Sequence, residues 1–288
     1  MLNRSFKRDI YLSILPALLV FLVFMVLPIV ILIATSFTRW RTTGISFAGF
    51  TNYIRLVNDP AFWKAMSNTG IWVAAAALIH VPLAVLVALI LSRKIRGWKI
   101  FRTLFFLPNI VSYASLAIVF GAAYNPRYGI INNTLDALGF RRQDFLFQTD
   151  TALTALILTW LFMVGLYMII VMADIVAIPE SFYEAAAIDG ASRIQQDVFI
   201  TLPLLRNVIG TCTILAVTGS LIYFEGILLL TNGGPRNATL NLPMFAYQKY
   251  QLFEWGYANT IGVVIFALGL ISIATIWKVF RVGQKDWS

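Results

Sequence analysis

Few side chains in this chain of 288 residues are able to do chemistry, because 59% of it is hydrophobic and only 12% charged. Those that interrupt an apolar run are therefore the candidates. Glu184 and Asp189 lie in EAAAIDGASRIQQDVFITLPLL, residues 184–205, between two very apolar stretches. Carboxylates there can cap a helix or pair with a cation across an interface. Glu225, in YFEGILLL, is an ionisable group well inside an apolar run. It could contact a polar ligand or a gate, or serve as a buried structural carboxyl bonded to a neighbouring helix or to another chain. The lone His80, two residues before Pro82, invites a proton-relay or metal reading, but no second histidine exists and no acids cluster on neighbouring runs. A kinked helix with one satisfied polar group is the better expectation. A single cysteine, Cys212, permits no internal disulfide and is expected to be a small packing residue. No catalytic or metal constellation is visible. The chain also lacks G-x-x-x-x-G-K-[ST], so it should not hydrolyse ATP itself.

The elements that position these groups follow from hydropathy. A typical soluble composition is roughly 45–50% apolar and 25% charged, so this is a membrane chain. A spanning helix needs about 20 mostly apolar residues, and six windows qualify: 11–37, 70–92, 103–124, 152–174, 207–231 and 258–280. Arg4, Lys7 and Arg8 before the first window resemble a signal sequence, but its apolar core is longer than the usual ~7–15 residues, and a retained first helix is expected. The net charge of +9 sits in short basic blocks beside apolar runs, which suits lipid headgroups and not nucleic acid. With the N-terminus inside, the inner connections hold Arg93, Lys94, Arg96, Lys99 and Arg102 in one short link, then Arg193, Arg206, Lys278, Arg281 and Lys285. Both termini and the 179–205 segment are then expected to be cytoplasmic.

Within that segment Ser181 and Glu184 have the S-x-x-E spacing of a capping box, and Ser192 and Gln195 repeat it. Glu184 to Asp189 would form about two helical turns with Ala185, Ala186 and Ala187 leaving one side nearly bare. Gly190 can end them at positive φ, and a second short helix would run to Leu202-Pro203. The expected product is a helix-turn-helix elbow, which on physics alone could be a mere interfacial link.

The spacing of Glu184, Ala185, Ala186, Gly190, Ile200, Leu202 and Pro203 closely matches the EAA motif of ABC importer membrane subunits. IPESFYEAAAIDGAS, GFTNYIRLVNDPAFWKAMSNT, RGWKIFRTLFFLPNIVS, YNPRYGIINNTL, FEGILLLTNGGP and WGYANTIGVVIF together resemble the type 1, binding-protein-dependent carbohydrate permeases: the first permease subunits of maltose, lactose, raffinose and glycerol-3-phosphate uptake systems. Nearly the whole chain is covered. The maltose subunit carries extra helices and a large insertion, whereas the link at 125–151 here is short, so the chain looks like the compact relatives with six helices. The resemblance implies an all-α integral membrane permease domain, 1–288, in a bacterial inner membrane. A second homologous permease would complete the pore. Two cytoplasmic ATPase subunits would bind ATP and Mg, and an extracytoplasmic sugar-binding protein would deliver the carbohydrate. It also implies that the elbow is the coupling helix seated in the ATPase, with Glu184 and Asp189 available to a basic partner.

Sugars are held by aromatic faces and hydrogen-bonding side chains, and polar groups are costly in lipid. The substrate-path candidates are therefore Asn109, Ser112 and Tyr113 in the third window, Trp160 and Tyr167 in the fourth, and Tyr223, Phe224 and Glu225 in the fifth. Ordinary packing or interfacial anchoring is the competing account of each aromatic. Asn232-Gly233-Gly234-Pro235 marks a turn. By resemblance, the connection after it, through Asn241 and Tyr250, could reach towards the binding protein. Gly262 and Gly269 could pack the sixth helix tightly. The rival class is an ion-coupled secondary transporter, which commonly carries more intramembrane charge and repeated halves than are visible here.

Overall fold

The computed structural model describes residues 4–283. Lys285, counted above among the inner charges, lies outside them, as do the side chains of Arg4, Lys7 and Arg8. In chain order the helices are α1 (Ser13–Ser36), α2 (Thr51–Val57), α3 (Pro60–Ser92), α4 (Trp98–Asn109), α5 (Tyr113–Tyr124), α6 (Ile130–Ala137), α7 (Ala152–Ala177), α8 (Glu180–Ile188), α9 (Arg193–Leu204), α10 (Arg206–Leu221), α11 (Glu225–Leu230), α12 (Leu242–Gln251) and α13 (Trp255–Phe280). A small antiparallel hairpin, β1 (Thr38–Arg41) and β2 (Gly44–Phe47), follows α1. Four helices, α1, α3, α7 and α13, are long and apolar enough to cross a membrane, or six spans if the bent pairs α4/α5 and α9/α10 each count as one.

Two windows that look continuous in sequence are broken. The third bends by 101° between α4 and α5. Pro108 ends the first arm in a tight turn, and the Ser112 hydroxyl accepts from the Ser115 amide, satisfying one of the free donors at the start of the second. The fifth stops at Leu221 and restarts at Glu225 after an irregular stretch through Tyr223 and Phe224.

Prolines elsewhere are absorbed without a break. Widened π-turns at Leu22–Val26, Ala76–His80 and Asp197–Thr201 each come just before an X-Pro pair, at Pro28, Pro82 and Pro203. In each, the amide preceding the proline bonds back five residues: Leu27 to Leu22, Val81 to Ala76, Leu202 to Asp197. A proline ring clashes with the carbonyl four residues back. The extra residue in the turn moves that carbonyl aside, which is a cause of helix distortion at proline.

By contact the chain divides into two units, one of the chain up to Pro60 with Ala246–Val264, the other of Ala61–Phe245 with the chain from Ile265. In the first, the buried Asn52 amide donates to the Ser36 and Thr38 carbonyls at 2.9 Å each, closing the corner where α1 becomes β1. Thr260 donates to the same Ser36 carbonyl at 3.1 Å. Gly256 lies against the Thr38 carbonyl where a Cβ would collide, and a Cβ at Gly262 would meet Leu32 Cδ1 at 3.0 Å. Gly269, by contrast, has open space beside it, so of the two small residues expected to pack α13 only Gly262 does so.

In the second unit, α3 and α7 form the core with Trp72, Ala76, Ala84, Leu156, Met168 and Val171 fully buried or nearly so. Asn68 on α3 donates to the carbonyls of Asn237, Ala238 and Leu240 at 3.3, 3.0 and 2.8 Å. Thr69 accepts from the Leu242 amide at 3.0 Å. One helical turn thus organises a loop some 170 residues away. Cys212 is buried, as its apolar setting suggested.

Candidate functional site

Residues 179–205 form the helix-turn-helix elbow that the spacing predicts. Its first arm, α8, ends in a Schellman arrangement. The Gly190 amide bonds the Ala187 carbonyl at 3.1 Å and the Ala191 amide bonds the Ala186 carbonyl at 2.9 Å, with Gly190 at φ +78. That left-handed geometry favours glycine. Ser192 and Gln195 make the second predicted capping box, each side chain bonding the other's amide, at 3.4 and 2.7 Å.

The first predicted box does not form. Helix α8 begins at Glu180 with Pro179 at its N-cap and no side-chain cap. Pro179 at φ −59 and ψ 135 turns the chain into the helix one residue too early for Ser181 to cap it. Glu184 is therefore exposed on the helix surface and makes no hydrogen bond or ion pair with the described residues. The two arms are braced against each other by Tyr183 Oη and Thr201 Oγ1, 3.0 Å apart. Ile200 and Leu202 are half-buried, while Ala185, Asp189, Gly190 and Pro203 are exposed and Ala186 half-buried. The elbow also exposes Ile188 by 87%, Phe199 by 74% and Ile194 by 71%.

The second assembly is a chain of rings. Tyr113 meets Tyr223 with centroids 6.0 Å apart, Tyr223 meets Trp72 at 4.6 Å, Trp72 meets Trp160 at 5.6 Å, Trp160 meets His80 at 3.9 Å, and His80 meets Tyr167 at 5.3 Å. The irregular stretches create it. Breaking helical geometry between α10 and α11 brings Tyr223 inward over Gly226, where a Cβ would collide with the Tyr223 ring. The buried Asn241 amide holds the Tyr223 carbonyl at 2.5 Å while its Oδ1 accepts from the Met244 amide at 3.0 Å, capping α12. A turn through Phe162 and Met163 interrupts α7 opposite the π-turn that carries His80. Gly165, just after that turn, lets the Phe105 backbone approach.

Of the predicted path residues, Tyr113, Trp160 and Tyr223 line one cavity of about 20 Å³, together with Phe120, Thr159 and Met163. Glu225 lies near enough to Tyr113 and Tyr223 to interact electrostatically. It is exposed at the start of α11, and makes no side-chain hydrogen bond or ion pair with the described residues, which corrects the intrachain form of the structural-carboxyl reading. Phe224 is half-buried at the N-cap of α11. Tyr167 meets the ring chain at His80. Ser112 is committed to capping α5. Asn109 is half-buried with its Nδ2 lacking a partner. Asn241 is fully buried, so it cannot meet an external protein, whereas Tyr250 is 56% exposed.

His80 departs from expectation as well. It is 1% exposed; its ring nitrogens make no well-formed hydrogen bond, although the ring lies within reach of the Met163 backbone, and Trp72 Nε1 is also without a partner among the described residues. Trp72 is not among the residues nominated from the sequence, and His80 is there expected to be structural. The available signal was that both are aromatics with polar edges inside one apolar window. Among the described residues no group of three or more His, Cys, Asp or Glu could hold a metal ion. The ring chain gathers aromatic faces and polar edges, groups of the kind that bind polyols, though Trp72, His80, Trp160 and Tyr223 are buried against one another in this conformation.

Residues 80–281 match the family described as "Binding-protein-dependent transport system inner membrane component". The "Probable ABC transporter permease protein YurN" of Bacillus subtilis is 32% identical over 284 residues, covering 96% of this chain and 97% of its own. The "Lactose transport system permease protein LacF" of Rhizobium radiobacter is 34% identical over 92% of this chain and 91% of its own. In three dimensions the chain resembles a subunit of "a bacterial ABC transporter involved in the import of the acidic polysaccharide alginate", with a TM-score of 0.85 and 25% identity over 96% of this chain and 97% of that one.

Proposed function

Since the chain belongs to the family of binding-protein-dependent transport system inner membrane components and is thus a multi-pass permease subunit of an ABC importer, we propose that its cargo is a carbohydrate. We propose also that the elbow at 179–205 receives the motion of partner ATPases. The lactose and alginate relatives support a saccharide, and the ring chain from Tyr113 to Trp160 supplies the stacking faces one would use. A cavity of about 20 Å³ holds one water at most, against roughly 300–1,000 Å³ for a ligand site. The described conformation is therefore closed to sugar on this chain's side. Tyr113 and Glu225, exposed beside the ring chain, are where a second homologous permease would complete the pore.

The observation that carries the coupling role is the elbow itself. Exposed Ile188, Ile194 and Phe199 share this segment with the exposed carboxylates of Glu184 and Asp189, a mixture that suits a protein partner. Two ATPase subunits supply that partner, binding ATP and Mg, and Glu184 or Asp189 pairs with a basic residue in their cleft. The distribution of basic residues supports a cytoplasmic elbow and cytoplasmic chain ends. An extracytoplasmic binding protein delivers substrate to the opposite mouth.

Copurification of the assembled complex, followed by ATP hydrolysis measured across a panel of sugars with the cognate binding protein, tests this. Stimulation by one saccharide class is expected. Uptake that follows an ion gradient in vesicles without any ATPase subunit would overturn the reading in favour of a secondary transporter.

A further inference from the structure

We infer that the ion pair between Arg93 and Asp197 is the strut that carries displacement of the elbow to the end of α3. This rests on the elbow being the input for ATPase motion. Arg93 directly follows the last residue of α3, and Asp197 opens the π-turn of α9, 104 positions later. The pair forms a hydrogen-bonded salt bridge with side chains 34% and 22% exposed, so bulk salt screens it less than a fully solvated pair.

What makes the contact mechanical is what surrounds it. Close-packed interiors transmit strain because neighbours have nowhere to go. Here the space between Leu89, Ser92 and Ile175 on the helix ends and Tyr183, Gln196 and Thr201 on the elbow is a cavity of about 300 Å³. Displacement of the elbow could close or open that space without moving α3 or α7, unless a specific contact bridges it.

The elbow moves as one body. The Schellman turn at Gly190, the Ser192–Gln195 box and the Tyr183–Thr201 bond fix its interior. Its joints to the chain are irregular on both sides, Ile178 extended at ψ 125 and Leu205 at φ −80, ψ 0. On the α10 side the elbow stays joined through the buried Leu205, whose amide and carbonyl bond Thr201 and Ile209; what needs a bridge is the gap to the end of α3, and Arg93–Asp197 is a polar tie across it. Arg93 and Asp197 are thus positioning residues for transport.

The test uses the reconstituted complex, with uptake and ATP hydrolysis read on the same vesicles. Arg93→Glu and Asp197→Arg should each cut uptake by about tenfold or more while hydrolysis continues, and the charge-swapped double variant should recover to within about threefold of the parent. Parental uptake in either single variant, or a double variant no better than the worse single, would overturn the strut. Should reversal of charge prevent assembly, R93M/D197L removes both charges and should assemble with an increased ratio of ATP hydrolysed to substrate moved. A parental ratio there would also overturn it. Ala186→Glu, run alongside, separates the two ideas. Loss of uptake in Ala186→Glu with normal coupling in R93M/D197L discards the strut alone, whereas normal uptake in Ala186→Glu discards the elbow reading and the strut with it.

Discussion

Arg55 holds Glu254 with two parallel hydrogen bonds, Nη1 to Oε1 at 3.0 Å and Nη2 to Oε2 at 2.8 Å, across 199 positions of sequence. Arg41 adds a third bond to Oε1 at 2.9 Å, so one carboxylate ties the hairpin and α2 to the turn before α13. Such forked pairs are stronger and more directional than single contacts. Beside it the Arg55 guanidinium lies 4.1 Å from the Tyr257 ring centre, and Tyr257 donates to Asp59 at 3.1 Å.

This network predicts an acid response. Burial works to raise the Glu254 carboxyl, but the Arg55 hydrogen bonds and the charges of Arg55, Arg41 and Lys249 outweigh it and hold the group below its usual value. The corresponding stability is fully present above the unfolded value of about 4.3 and is lost as pH falls through the lower folded value. Amide exchange in the hairpin 38–47 should therefore quicken as pH drops below about 4, after correction for intrinsic rates. Glu254→Gln should flatten that dependence; an unchanged profile would refute the assignment.

Gly190 should tolerate no larger residue well. At φ +78, alanine costs about 1 kcal/mol, and Gly190→Pro also deletes the amide that bonds Ala187. We expect Gly190→Ala to reduce uptake, and Gly190→Pro to abolish both uptake and sugar-stimulated ATP hydrolysis while the protein still inserts. Wild-type transport by Gly190→Pro in proteoliposomes would remove the elbow from the coupling path.

His80 is a source of instability in the described conformation. A buried polar atom left without a partner costs about 1–3 kcal/mol, and the His80 ring, with at best a poorly formed bond to the Met163 backbone, leaves at least one nitrogen in that position. His80→Leu should raise the melting temperature of the purified complex in detergent. A fall would mean that the ring gains its bonds from a group the isolated chain does not supply, such as the second permease.

Asn68 should behave in the opposite way. Its amide serves three loop carbonyls at once; Asn68→Leu would remove the bonds to Ala238 and Leu240, while the Asn237 carbonyl keeps the Leu240 amide, and the cost, about 1–3 kcal/mol, is offset in part by loss of the unpartnered Asn68 Oδ1. Protease cutting near 232–240 should become faster in this variant before any global unfolding. Equal protection in both proteins would show that the loop is held by other means.

Gly226 lies under the Tyr223 ring, with no room for a side chain. Gly226→Val should push Tyr223 out of the ring chain and reduce sugar uptake by about tenfold without loss of assembly, since a misplacement of about 1 Å can cost 10²-fold in a positioned site. Unaltered transport would take Tyr223 off the substrate path.

The sequence by itself determined the membrane class, the elbow and its glycine stop, because these depend on local properties: apolar run length, helix propensity and the φ of a single residue. The Ser192–Gln195 box was legible for the same reason, being complete within four residues. Its apparent twin at Ser181–Glu184 was not, since Pro179 starts the helix first and only the path of the chain out of α7 shows that. The breaks at Ile110–Ser112 and Ile222–Phe224 fell inside windows whose hydropathy is continuous, and hydropathy reports transfer to lipid, not the direction of a backbone. The ring chain from Tyr113 to Tyr167, the fork on Glu254 and the Arg93–Asp197 pair join residues far apart in sequence. Composition can nominate such residues, but which of them meet depends on how the helices pack, and only the tertiary structure decided that.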